Sequence, residues 1–103
     1  ITSRVGMFPS RLDALRDARG FLESFCERAG VGRQPCLKLN LVVEELFLNT
    51  VKHGHRGGSD APVWITLAAQ AGAIRMTYED QAPGLAQFVH DAIHANADRH
   101  EQG

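Results

Sequence analysis

The sequence predicts an α+β domain in which helices cover one face of a mainly antiparallel sheet. Two segments with apolar residues at helical spacing come early in the chain, and two segments with alternating apolar residues follow them, joined by a short turn. A chain of 103 residues is long enough for one hydrophobic core and too short for two. We therefore expect a single two-layer domain over residues 1–103.

The first elements are a short strand and a capped helix. Residues 4–8 are mostly apolar and predict a strand that Pro9 ends. Ser10 is expected to cap the first helix, with Asp13 completing a capping box, and Gly30 supplies the stop. Apolar residues recur between them at helical spacing: Leu12, Leu15, Ala18, Leu22, Phe25 and Ala29.

The second helix is predicted over residues 35–53. Its apolar residues cover most of the circumference, which is typical of a central, buried helix. They are Leu37, Leu39, Leu41, Val42, Val43, Leu46, Phe47, Leu48 and Val51.

A hairpin and a third helix are predicted for the remainder. Residues 63–69 and 74–78 alternate between apolar and polar side chains, which indicates two antiparallel strands, and residues 79–84 form a turn. Residues 85–97 return to helical spacing. The expected order is strand, helix, helix, strand, strand, helix.

Composition excludes several classes of protein. Eleven Lys and Arg against twelve Asp and Glu give a net charge of -1, which provides no field for nucleic acid or an anionic membrane. Apolar runs end before the ~20 residues that span a bilayer, and the first residues do not show the basic and then apolar pattern expected of a leader. We expect a cytoplasmic protein in which Cys26 and Cys36 are small buried hydrophobes, although a disulfide stays open.

Polar side chains interrupt the second helix in the stretch VEELFLNTVKHGH, residues 43–55. Glu45 and Asn49 are four residues apart and share a helical face, whereas Glu44 is rotated away by about 100°. An amide oxygen can bind a hard cation such as Mg²⁺, and a carboxylate can orient a hydroxyl as a base. The pair therefore suits phosphoryl transfer.

Two motifs carry a resemblance to a known family. Glu45-Leu46-Phe47-Leu48-Asn49, followed by His53-Gly54, resembles the N-box of the GHKL ATPases in the version found in anti-sigma-factor serine kinases. Asp80-Gln81-Ala82-Pro83-Gly84 resembles the first glycine box of that superfamily, Asp-x-Gly-x-Gly. The order of elements along nearly the whole chain is also similar, which implies the two-layer α/β sandwich of the GHKL, or Bergerat, type.

The resemblance implies a role for each motif residue. Asp80 would accept a hydrogen bond from the adenine amino group of ATP, and Gly84 would let the backbone approach the nucleotide. Asn49 would bind both the nucleotide and its Mg²⁺, and Glu45 would act as the catalytic base on the acceptor hydroxyl.

The same resemblance implies a cytoplasmic serine/threonine-protein kinase that is also an anti-sigma factor. It would phosphorylate an anti-sigma-factor antagonist of the STAS type and hold a sigma factor, in a partner-switching system that regulates transcription. Homodimer formation stays open, and neither nucleic acid nor a membrane is an expected partner. The alternatives are the ATP-binding domain of a sensor histidine kinase and a degenerate, non-catalytic module that binds a sigma factor.

The chain departs from the family pattern in two places. Ala82 occupies the first glycine position of the glycine box, which is a mild change only where the local φ is negative. The second glycine-rich segment, which covers the phosphates, and the strands after it have no counterpart in these residues. We therefore expect a domain that lacks the C-terminal part of the fold.

Each motif residue also has a plainer interpretation. Glu45 and Asn49 fit ordinary polar positions on a helix surface. Asp80 fits a turn, because Asp makes local backbone hydrogen bonds there. His53 fits the end of a helix, where a donor meets unpaired carbonyls.

A competing metal site is suggested by His90-Asp91-Ala92-Ile93-His94, followed by His100. Two imidazoles at i and i+4 on a helix could bind Zn²⁺, as in the H-E-x-x-H motif of metalloproteases. Asp91 is one methylene shorter than the Glu of that motif, and no glycine turn leads to a third ligand. A solvated helix face is the simpler interpretation.

Overall fold

The computed structural model describes residues 2–53, 59–70, 73–80 and 87–94, the last of these segments for its backbone only. The described residues form one strand, two helices and three further strands, so the predicted α+β class is confirmed. The elements are β1 (Thr2–Pro9), a 3₁₀ turn (Leu12–Ala14), α1 (Leu15–Ala29), α2 (Arg33–His53), β2 (Pro62–Gln70), β3 (Ala73–Asp80) and β4 (Gln87–His94).

The four strands form a sheet in the order β1-β2-β3-β4, and every neighbouring pair is antiparallel. The predicted hairpin is confirmed, with β2 and β3 paired from Val63 opposite Asp80 to Gln70 opposite Ala73. Alternate residues of β2 and β3 are buried, and both helices pack on the face that they form. The buried residues of this face are Val63, Ile65, Leu67, Ile74, Met76, Tyr78 and Asp80.

Helix α2 buries one face rather than its whole circumference. Leu39, Val43 and Phe47 follow one another at four-residue spacing and are fully buried toward the sheet and α1. The prediction of a central, buried helix is wrong for the exposed part of its circumference, because a two-layer fold covers only one side of each helix. Three leucines of α2 are 45%, 60% and 40% exposed, namely Leu37, Leu41 and Leu48. Within the described ranges, no helix is both long and apolar enough to cross a bilayer.

Ser10 does not cap α1, which corrects the predicted capping box. Its hydroxyl donates to the carbonyl of Ala61 over 2.7 Å, and its own carbonyl accepts from the Ser59 amide over 2.9 Å. The 3₁₀ turn begins after Arg11 without a side-chain cap. Ser10 is buried where β1 meets the start of β2, and this long-range pairing replaces the local cap. The predicted stop at Gly30 is confirmed, since Gly30 adopts the left-handed conformation with φ 72°.

The predicted third helix is wrong, because residues 87–94 form strand β4. Apolar residues in this segment fit a helical stripe, but the segment also contains aromatic and β-branched residues, which favour strands. The open edge of β3 offers unpaired backbone groups, and β4 pairs with them from Ala73 opposite His94 to Glu79 opposite Gln87. The register shifts between Ile74 and Met76, where a bulge interrupts the ladder.

The prediction of a small buried hydrophobe is confirmed for Cys26, which belongs to the core, whereas Cys36 packs against the core and is only partly buried. Both thiols are free, with Cys26 buried and Cys36 half-buried. Burial raises the pKa of the Cys26 thiol, and the neighbouring Cys36 and Glu23 raise it further. The Cys26 thiol therefore stays protonated and unreactive near neutral pH.

Candidate functional site

Glu45 and Asn49 lie side by side on the outer surface of α2. They are one helical turn apart, so their side chains project in nearly the same direction, and both are exposed. Glu44 is half-buried, because the next position along a helix is rotated by about 100°. The two neighbouring acids thus differ in surroundings, and only Glu45 shares the surface of the amide. Their chemical roles stay predictions.

Asp80 is the last residue of β3 and lies on the face that the helices cover. The alternation that buries Met76 and Tyr78 also turns Asp80 inward, and it is only 2% exposed. A carboxylate removed from water costs several kcal/mol unless hydrogen bonds replace its hydration. The structure gives it such a partner on α2, so Asp80 does more than close a turn.

That partner is Thr50, in the last turn of α2. The Thr50 hydroxyl donates to Oδ2 of Asp80 over 2.6 Å and lies 2.7 Å from the hydroxyl of Tyr78. The carbonyl oxygen of Leu46, one turn back along the helix, is 3.0 Å from the Thr50 hydroxyl oxygen. Thr50 follows Asn49 directly in sequence, so the contact with Asp80 joins the helix that bears Glu45 and Asn49 to the last residue of β3, across 30 residues.

The Thr50 hydroxyl has one proton, and the contact lengths indicate which acceptor receives it. The shortest contact ends on a carboxylate, so Thr50 gives its proton chiefly to Asp80 and only weakly to Leu46. Tyr78 must then donate to Thr50. Burial raises the pKa of Tyr78 to about 12, and the Asp80 carboxylate raises it too, against an opposite effect of the Thr50 hydrogen bond. The phenol stays protonated at neutral pH, as a donor requires.

Thr50 was not singled out by the sequence reasoning, although two patterns point to it. Val43, Phe47 and Thr50 occupy successive inward positions of α2, so a hydroxyl at the third is buried. Asp80 continues the inward alternation of β3 two residues after Tyr78. Two polar side chains on the facing surfaces of one core must pair, because neither is stable there alone.

Other predicted positions lie apart from this cluster or outside the described residues. Gly84, with Ala82, falls within residues 81–86, which are not described, so its role stays a prediction. His53 is the last residue of α2 and is exposed, as expected for a residue at a helix end.

The zinc alternative loses its structural basis. His90 and His94 lie on β4, where four residues span roughly 13 Å, about twice the ~6 Å between such positions on a helix. His100 lies outside the described residues. In the described part of the chain, no three His, Cys, Asp or Glu side chains converge as a metal site.

The geometry combines a fixed acceptor with exposed oxygen ligands. Asp80 is a buried acceptor at the end of a strand, which suits an exocyclic amine of a base. Asn49 and Glu45 offer an amide oxygen and a carboxylate at the surface, and both are ligands that Mg²⁺ accepts. Thr50 connects these two sets of atoms, because it adjoins Asn49 and binds Asp80.

Comparison with known families agrees with this geometry. The sequence model of the histidine kinase-like ATPase domain matches residues 8–103, which include both motifs. No curated protein matches the chain. ATP, typically with Mg²⁺, is the ligand that the family implies. Since the match covers almost the whole sequence, the chain belongs to the histidine kinase-like ATPase domain family.

Proposed function

We propose that this protein is an ATP-dependent serine/threonine-protein kinase that also acts as an anti-sigma factor. The observation that carries the proposal is the 2.6 Å hydrogen bond from Thr50 to Asp80. It places the proposed acceptor for adenine against the helix that bears Glu45 and Asn49. Membership of the histidine kinase-like ATPase family supports the nucleotide part of this function.

In this proposal, each motif residue acts on a different part of the nucleotide. Asp80 accepts from the adenine amino group, and the backbone at Gly84 approaches the ligand. Asn49 holds Mg²⁺ through its amide oxygen, which is exposed and thus accessible to a cation with several waters. When bound there, Mg²⁺ would supply positive charge that neutralises the phosphates.

Glu45 serves the acceptor in the same proposal. The γ-phosphoryl group of ATP moves to a serine hydroxyl oxygen of the partner, ADP leaves, and Glu45 takes the hydroxyl proton. Catalysis then consists mainly of positioning, since phosphoryl transfer passes through a loose transition state. An exposed Glu45 is consistent with this role, because a protein substrate must reach it.

The proposed partners follow from the version of the N-box that the chain carries. They are an anti-sigma-factor antagonist of the STAS type, as the phosphate acceptor, and a sigma factor that the kinase holds. We propose that this switch operates in the cytoplasm. Homodimer formation is compatible with it.

A second candidate is the ATP-binding domain of a sensor histidine kinase, which the family description favours equally. Both functions use the same nucleotide site, so the residues described above do not separate them. The acceptor does. A serine kinase forms a phosphate ester, whereas a histidine kinase forms a phosphoramidate whose P–N bond breaks in acid.

The test is phosphate transfer from labelled ATP with Mg²⁺ to proteins that co-purify with the full-length protein. We expect an acid-stable label on a serine of the co-purified antagonist. An acid-labile label would favour the histidine kinase. Nucleotide binding with no transfer to any partner would favour the non-catalytic binding module.

A further inference from the structure

Thr50 lies between the two ends of the proposed nucleotide site. We propose that Thr50 is a positioning residue for adenine recognition: its hydroxyl, held by the Tyr78 phenol, fixes the Asp80 carboxylate as an acceptor, so that the site selects a purine with a 6-amino group over one with a 6-oxo group. This inference rests on the proposed nucleotide-binding function. It adds a residue that neither motif includes.

The first step is the direction of the hydrogen bonds. Thr50 donates to Asp80 over 2.6 Å. Because its single proton is used there, the 2.7 Å contact between the Thr50 and Tyr78 hydroxyls requires the phenol as the donor. A hydroxyl that accepts from one side and donates to the other has a fixed orientation. The chain of donors ends on the carboxylate, so Asp80 takes part in it as an acceptor only.

The second step is the burial of the three side chains. Tyr78 is fully buried, Asp80 is 2% exposed, and Thr50 is buried between them. Thr50 belongs to a regular helix and Tyr78 to a strand paired on both sides, so the donors are held by backbone hydrogen bonds of two elements. The carboxylate is therefore oriented before any ligand arrives, which is the condition for a selective acceptor.

The third step is the chemistry of the base. A fixed carboxylate attracts the 6-amino group of adenine, a donor, and repels the 6-oxo group of hypoxanthine, an acceptor. Without the Thr50 hydroxyl, the carboxylate loses a donor that fixes its rotation. It then attracts the amine less and repels the carbonyl less, so the preference between the two bases falls.

The experiment compares ADP with inosine diphosphate, whose base has a 6-oxo group and a proton on the neighbouring N1, by calorimetry with Mg²⁺ on the full chain. We expect the parent to bind ADP about tenfold or more tightly than inosine diphosphate, as for a hydrogen bond to a charged group. Thr50→Val, which keeps the shape and removes the hydroxyl, should bring the two affinities within about threefold of each other. Thr50→Ser, which restores the hydroxyl, should restore the preference.

Thr77→Val is the matched control, because Thr77 adjoins Tyr78 on β3 but faces away from the helices. It should keep the preference of the parent. A parent-like preference in folded Thr50→Val would overturn the inference and leave the proposed function intact. A parent that binds neither nucleotide would overturn both.

Tyr78→Phe decides the matter if Thr50→Val does not fold. It preserves nearly all of the core volume and removes the donor that holds Thr50. We expect the preference for ADP to fall by about threefold, since the hydroxyl of Thr50 loses one neutral hydrogen bond. An unchanged preference in this folded variant would contradict the proposed orientation of Asp80.

Discussion

The two ends of the candidate site differ in how the protein holds them. At one end Asp80 is buried and receives a 2.6 Å hydrogen bond from Thr50, which in turn is held by Tyr78. At the other end Glu45 and Asn49 are exposed on the surface of α2. The proposed base end is therefore ordered by the core of the protein, whereas the proposed phosphate end presents side chains to solvent.

Because of this difference, substitutions at the two ends should have different effects on stability and on activity. Changes at the base end disturb a buried network and should alter both folding and binding. Changes at the phosphate end remove exposed groups, which seldom shift stability by more than about 0.5 kcal/mol. A substitution that alters activity without altering stability thus identifies the phosphate end.

Glu45→Gln is expected to have the largest effect. It should lower phosphate transfer to the antagonist by ~10²-fold or more, the usual contribution of a positioned base, while nucleotide affinity and thermal stability stay at the parent values. Transfer from labelled ATP and calorimetry with ADP measure the two quantities. Glu44→Gln is the control, because Glu44 lies on a different side of α2, and it should transfer at nearly the parent rate. Parent-level transfer by Glu45→Gln would remove Glu45 from the chemistry.

The base end should show a stability change at high pH. Burial raises the pKa of Tyr78 from 10.0 to about 12, so the unfolded chain loses the phenol proton first. The contribution of the Tyr78 phenol to the free energy of unfolding is complete below pH 10. It is lost as the pH rises through about 12, which lowers the free energy of unfolding by about 3 kcal/mol. Urea unfolding across this window measures it, with Tyr78→Phe as the reference.

Because the chain contains a single tyrosine, tyrosinate absorption reports on Tyr78 alone. Its midpoint in the folded protein should lie near 12, with the phenol of the unfolded chain titrating near 10. Equal slopes of stability against pH for the parent and Tyr78→Phe would show that the phenol does not lose its proton differently in the two states.

Asn49→Ala should have a smaller effect, limited to the part of ADP affinity that depends on Mg²⁺. We expect Mg²⁺ to strengthen ADP binding to the parent by about tenfold and to leave the binding of the variant unchanged, because the amide oxygen is lost as a ligand. Asn49→Asp keeps an oxygen in the same place and should retain the Mg²⁺ effect. If Mg²⁺ strengthens binding to Asn49→Ala as much as to the parent, the metal is held elsewhere.

The elements with a strong local pattern were predictable from sequence. The alternation in β2 and β3 and the glycine stop after α1 depend on neighbouring residues, and both are confirmed. Ser10 and residues 87–94 were mispredicted because distant partners decide them. Ser10 pairs with Ala61 near the start of β2, and β4 forms on the edge of β3.

The residues of the candidate site also fall into those that local spacing predicts and those that only a distant partner explains. Helical spacing alone placed Glu45 and Asn49 on one surface and Glu44 on another, and the structure agrees. Thr50 was missed because its importance comes from Asp80, 30 residues away, and a threonine between Asn49 and Val51 has no local signature. Long-range pairs between polar residues become visible only when the inward faces of two elements are compared.

Binding of ADP to Asp80→Asn tests the central claim most directly, that Asp80 is the acceptor for adenine. Thr50 can still donate to the amide oxygen of Asn, so the fold should persist with a loss of about 1 kcal/mol in the free energy of unfolding. The amide then turns its NH₂ group toward the adenine amino group, and two donors face each other. Calorimetry with Mg²⁺ should show ADP bound by the parent and bound roughly 10- to 100-fold more weakly by the folded variant. Equal affinity of the two proteins for ADP would contradict the claim.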